Sequence, residues 1–159
     1  MLSQNCTDTY VVKPQELTNF AAMARVMAID YGSKRCGIAV TDPLRIIATA
    51  LKTVPTSELD SFLKEYFSKE SVNCLVIGEP FRYDGSASSI EVEIQPFITR
   101  FQENFPDIEV QRINEMFTSK QAMKTLIASG LSKKKRRDKS LLDSTSATII
   151  LQEYLQHTI

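Results

Sequence analysis

From Val26 onward the apolar positions fall into short, dense runs, Val26–Tyr31, Cys36–Thr41 and Ile46–Val54, separated by Gly-Ser-Lys-Arg and Asp-Pro-Leu-Arg. Runs rich in β-branched and apolar residues between turn-forming tetrapeptides predict three strands in an antiparallel meander. The period then changes. Between Thr56 and Lys69 the apolar residues are Leu59, Phe62, Leu63, Tyr66 and Phe67, the spacing of one face of an α-helix. Cys74–Gly78 is a continuous apolar run, as in a strand covered on both faces. Ser86–Asn104 predicts a second helix, Ile108–Ile113 a last strand, and Thr118–Ser129 a third helix stopped by Gly130. A charged run, Ser132–Lys139, separates it from a final helix over Ser140 to about Gln156. Residues 1–22 are polar and weakly patterned, and are expected to be an extension outside a single domain spanning 23–159.

Three antiparallel strands followed by two strands that each arrive after a helix imply a mixed sheet flanked by helices. That order is the order of a ribonuclease H-like α/β fold. A chain of 159 residues suits one such domain and is too short for two nucleotide-binding lobes. This length weighs against an actin- or sugar-kinase-like ATPase, whose phosphate loop also places Asp-x-Gly before a glycine-bearing hairpin.

Composition narrows the function further. Basic and acidic residues balance at 19 each, so any nucleic acid must be met by a local patch rather than by overall charge. Cys6, Cys36 and Cys74 have neither a zinc spacing nor an even count, which fits buried thiols in a reducing compartment. No apolar run approaches the ~20 residues of a membrane span, and no basic-then-apolar leader opens the chain, so the expected location is cytoplasmic.

Three carboxylates stand at positions that packing alone does not require. Asp30 ends the first strand just before Gly32 and reads either as a turn aspartate or as a ligand at a strand end. Glu115 follows the last strand, on the side where open α/β sheets bind ligands, or serves as a first-turn glutamate of the helix after it. Asp143 fits a capping box with Ser140, yet it shares a helical stripe with Ala147, Ile150 and Tyr154, residues that should face the sheet. Converging carboxylates repel one another without a cation. Oxygen-only donors favour Mg²⁺ or Mn²⁺, and clustered acids can hold two such ions about 3.5–4 Å apart for phosphodiester hydrolysis.

The segments AIDYGSKRCGIAVTD, VIGEP…DGS, RINEMFTSKQA and KKKRRDKSLLDSTSATIILQEYL, taken in order, resemble the YqgF family over about Met23–Leu155. That resemblance implies a nuclease similar in fold to Holliday junction resolvases, maturing the 5′ end of the 16S ribosomal RNA precursor, with ribosomal particles as partners. It assigns Asp30, Glu115 and Asp143 as catalytic, metal-binding acids. Asn114 and Met116 depart from the family's Asp-Glu-Arg segment, so a phosphate contact made there would pass to Arg112 or Arg82. Glu79, at the end of the adjacent strand, is a further acid that could enter the metal shell, or a plain loop glutamate.

Lys133, Lys134, Lys135, Arg136, Arg137 and Lys139 crowd six positive charges just before Asp143. Such a run reads as a solvated face or, this close to a phosphodiesterase acid, as the surface that neutralises substrate phosphates. His157, the single histidine, lies near the end of the chain and offers no base for a Ser-His-Asp mechanism. Two alternatives to ribosomal RNA processing remain: resolution of branched DNA, and a non-catalytic nucleic-acid-binding module in which the acids act only as caps.

Overall fold

A computed structural model describes residues 24–80, 88–114 and 139–158, together with Lys124, Ala128 and Gly130. The expected extension over 1–22, Arg82, Glu115, Met116 and the basic residues Lys133–Arg137 lie outside the described residues.

The described elements are β1 (Arg25–Asp30), β2 (Arg35–Thr41), β3 (Ala48–Pro55), a short 3₁₀ turn (Thr56–Glu58), α1 (Leu59–Phe67), β4 (Val72–Glu79), α2 (Glu91–Asn104), β5 (Glu109–Asn114) and α3 (Lys139–Thr158). The five strands form one sheet in the order β3-β2-β1-β4-β5. β1–β2 and β2–β3 pair antiparallel, whereas β1–β4 and β4–β5 pair parallel. This is the mixed, ribonuclease H-like arrangement read from the run order.

β3 begins at Ala48 rather than Ile46, and two helix starts differ from the expectation by three or more residues. The helix placed over Thr56–Lys69 opens as a 3₁₀ turn after Pro55 and becomes α-helical only at Leu59. The helix placed from Ser86 begins at Glu91, whose N–H bonds the Ser88 carbonyl at 2.9 Å. Serines in this stretch favour turns over helix interiors because their hydroxyls compete for backbone groups. Of the helix expected over 118–129, Lys124 and Ala128 are described and both are helical. Gly130 has φ 74°, the left-handed value of a helix-ending glycine.

The pleat sorts side chains onto two faces. Met27, Ile29, Ile38, Leu75 and Ile77 pack with Leu59 and Leu63 of α1 and Ile94, Phe97 and Phe101 of α2. On the other face Val26, Ala28, Ala39, Cys74 and Val76 pack with Ala147, Ile150 and Leu151 of α3. β1 is therefore covered twice, and Val26, Met27, Ala28 and Ile29 are completely buried. Cys36 and Cys74 are buried free thiols, as expected of small apolar residues.

Candidate active site

Asp30 is the last residue of β1, the central strand, and its neighbour across the β1–β2 pair is Gly37. Alternation places both on the face covered by α3. A Cβ added to Gly37 would lie 2.1 Å from the Asp143 carbonyl oxygen and 2.8 Å from the Ser144 nitrogen. Only a residue without a side chain lets the start of α3 rest on the sheet there. The stripe read from the sequence has this physical basis, and it brings Asp143 beside Asp30.

Ser140 is already inside α3, which is helical from Lys139, so the capping-box reading of Asp143 is overturned. Asp143 instead ion-pairs with Arg35, whose Nε donates to its carboxylate. Three residues further along the helix, the buried Ser146 side chain favours the ionised form of Asp30. Burial first, and the Asp143 charge second, push the Asp30 carboxyl up to about 6, and Ser146 only partly offsets them. Burial together with a nearby like charge is the arrangement by which active sites shift the pKa of an acid.

The loop after β1 is fixed from three sides. Thr56 Oγ1 donates to the Gly32 carbonyl at 2.6 Å, Ser33 Oγ donates to Glu93 Oε1 at 3.0 Å, and the Tyr31 ring packs on Phe97 with centroids 5.3 Å apart. Gly32 is needed for this turn, since a Cβ there would meet the Arg35 carbonyl at 2.6 Å. The glycine therefore serves the turn itself.

Arg112 is not a free phosphate contact. Its terminal nitrogens donate to both Glu91 oxygens at 2.8 and 2.9 Å and to the Gly78 carbonyl at 3.1 Å. The Arg112 hydrogen bonds are the main reason the Glu91 carboxyl sits below its ordinary value. This fork ties the ends of β4 and β5 to the first turn of α2, which positions the chain immediately before Glu115. Glu79 follows Leu75 and Ile77 in the pleat, on the face away from α3, so it does not share the face of Asp30.

The remaining sequence candidates resolve simply. Lys139 opens α3 and is exposed. His157 is exposed and its Nδ1 meets the Glu153 carbonyl of its own helix at 2.7 Å. A cavity of about 530 Å³ lies at the far end of α3, lined among the described residues by Ile46, Ile47, Ala48, Gln152, Leu155 and Gln156, none of them ionisable.

The oxygen donors of Asp30 and Asp143, brought to one end of the sheet, are of the hard type that suits Mg²⁺ or Mn²⁺. Among the described residues no three acids, cysteines or histidines gather into a metal cluster. Sequence reasoning missed Arg35, Gly37 and the influence of Ser146 on Asp30. The signal for Ser146 was present, three residues after Asp143 on the same helix.

Residues 24–157 match the model of the RuvX family, described as Holliday junction resolvase. A protein of Christiangramia forsetii, named "Putative pre-16S rRNA nuclease", is 53% identical over 133 residues, 84% of this chain and 98% of its own length. Proteins of the same name from Flavobacterium johnsoniae and Porphyromonas gingivalis are 53% and 47% identical. The matches cover 84% and 85% of this chain and 96% and 98% of theirs.

Proposed function

This chain belongs to the RuvX family, and from that premise we propose that it is a divalent-metal nuclease that hydrolyses a phosphodiester bond in maturing the 5′ end of the 16S rRNA precursor. The observation that carries the proposal is the pairing of Asp30 with Asp143, brought about by Gly37 and answered by a carboxyl pushed up to about 6. A structural cap or turn aspartate has no reason to face a second acid.

Asp30, Glu115 and Asp143 would hold Mg²⁺ or Mn²⁺. When bound, such ions lower the pKa of attacking water and stabilise the leaving oxygen. The chain's own residues do the rest. Ser146 favours the ionised Asp30 carboxylate, Gly37 sets the approach of α3, and the Arg112–Glu91 fork holds the end of β5 just ahead of Glu115. Lys133, Lys134, Lys135, Arg136, Arg137 and Lys139 neutralise substrate phosphates on the way into α3. Relatives named as pre-16S rRNA nucleases favour precursor ribosomal RNA as the substrate, and pre-ribosomal particles in the cytoplasm are the setting proposed for it. Among the described residues no helix is long and apolar enough to cross a membrane.

Branched DNA is the second reading, favoured by the description of the family itself. Purified protein given a precursor 16S rRNA fragment or a four-way DNA junction, with Mn²⁺ or with chelator, distinguishes the two. Mn²⁺-dependent cleavage of the RNA, abolished in Asp30→Asn, is the expected result. Junction cleavage alone would reverse the substrate, and binding without cleavage of either would leave a nucleic-acid-binding module.

A further inference from the structure

Arg35 holds its partner differently from Arg25, Arg45 and Arg112, and most like Arg100, which donates through Nε to Asp60 at 2.8 Å. Arg25 donates to Glu70 at 2.9 Å and to the Thr41 carbonyl at 2.8 Å. Arg45 donates to the Ala24 carbonyl at 3.0 Å and to Asn73 at 2.8 Å, and Arg112 is forked onto Glu91. Each of these spans two elements of the fold. Among the described residues Arg35 contacts one acceptor, Asp143, through Nε alone, and its side chain stays 40% exposed. A guanidinium has five N–H donors, so most of its donor capacity is left at the mouth of the acid pair.

We propose that Arg35 is a cation that exchanges partners: it neutralises Asp143 in the metal-free protein, yields that carboxylate to an arriving divalent ion, and then contacts the substrate phosphate. The second half rests on the nuclease reading given above; the first half does not. Arg35 opens β2, two residues before Gly37 on the same face, so its head lies over the start of α3 where Asp143 meets the sheet. A cation ligating Asp143 would repel the guanidinium.

The exchange costs little. An ion pair this open to water is weak, because screening and side-chain entropy offset most of the attraction. The planar fork that is released matches two oxygens of a phosphate, which a single Nε bond to a carboxylate does not use. Arg35 thus serves as the stand-in charge that keeps two acids together before metal arrives.

The experiment compares wild type, Arg35→Gln and Arg35→Lys. Free Mn²⁺ is followed by electron paramagnetic resonance on protein without substrate, and cleavage is followed at saturating Mn²⁺. Removal of a competing cation should tighten Mn²⁺ binding in Arg35→Gln by about two- to fivefold. Its kcat/KM at saturating metal should fall by about 10- to 100-fold, through the lost contact to phosphate. Arg35→Lys, which keeps the charge, should bind Mn²⁺ as wild type does and cleave at an intermediate rate. If Arg35 merely orients Asp143 as a ligand, Arg35→Gln binds Mn²⁺ more weakly and extra metal restores cleavage, and the proposal is overturned. Tightened Mn²⁺ binding in a protein whose wild type cleaves neither RNA nor junction would overturn the nuclease reading while supporting the exchange at Asp143.

Discussion

Gly37 and Asp143 are in backbone contact, such that a methyl group on the glycine would stand 2.1 Å from the aspartate's carbonyl oxygen. The distance at which α3 crosses β2 therefore depends on one missing side chain. Gly37→Ala should push the helix start outward at a cost of about 1–3 kcal/mol, the usual penalty of overpacking. The displacement separates Asp143 from Asp30, so Mn²⁺ affinity and cleavage should fall well beyond what the loss of stability accounts for. Cleavage at the wild-type rate by a folded Gly37→Ala protein would show that the helix approach does not build the site.

Asp30 makes stability depend on pH in a predictable direction. Its carboxyl is raised from 3.8 to about 6, so the fold favours the protonated form. That contribution is fully present below the unfolded value and is lost as pH rises through the folded one. The metal-free protein should therefore lose on the order of 3 kcal/mol of stability between pH 4 and pH 8 through this group. Asp30→Asn carries no such charge. In chelator, the variant and wild type should melt together near pH 4, and the variant should melt several degrees higher at pH 8, whereas saturating Mn²⁺ should raise only the wild-type Tm. Parallel melting curves across that range would refute the acid-pair argument.

The strand order and both faces of the core were legible because period alone decides which residues a strand or helix must bury. Cys74–Gly78 read as a doubly covered strand, and it is, while Val26–Tyr31 read only as the first strand of a meander and proves to be covered on both faces as well. Asp30 and Asp143 were also legible, as carboxylates where apolar residues would serve packing better. Arg35 and Gly37 were not, because each acts through a neighbour more than 100 residues away in sequence. Arg112 misled for the opposite reason. Its charge suggested phosphate, and nothing local shows that Glu91, in the first turn of α2, takes both of its terminal nitrogens.

Ser146 should tune the pH range of the reaction. Its hydroxyl favours the ionised Asp30, so Ser146→Ala removes the one contact that draws the carboxyl down. The acid limb of the cleavage profile should then move to higher pH, with a loss of about 1 kcal/mol in stability from the missing hydrogen bond. A profile that does not move would place Ser146 in packing alone.

Residues 1–22 should be dispensable. The family match begins at residue 24, and β1 begins at Arg25, with its own N–H already bonded to the Ser71 carbonyl at 2.8 Å. A chain starting at Met23 is expected to keep its Tm within a degree or two and to cleave at the full rate. A loss of several degrees would make the leader part of the packed domain.

The basic run before α3 should act through charge rather than shape. Each phosphate neutralised by a lysine or arginine releases condensed counterions, which makes the logarithm of affinity fall linearly with the logarithm of salt concentration. Replacing Lys134, Lys135 and Arg136 together with alanine should weaken RNA binding, and should reduce the magnitude of that slope by up to roughly 0.7 per lost contact on a single strand. Because these side chains are not assigned to the acids, Mn²⁺ affinity and melting temperature should stay at wild-type values. Catalysis would then fail through KM, with kcat recovered at high RNA concentration. An unchanged salt slope in the triple variant would return the run to a solvated face, and would leave Lys139 and Arg35 as the cations nearest the acids.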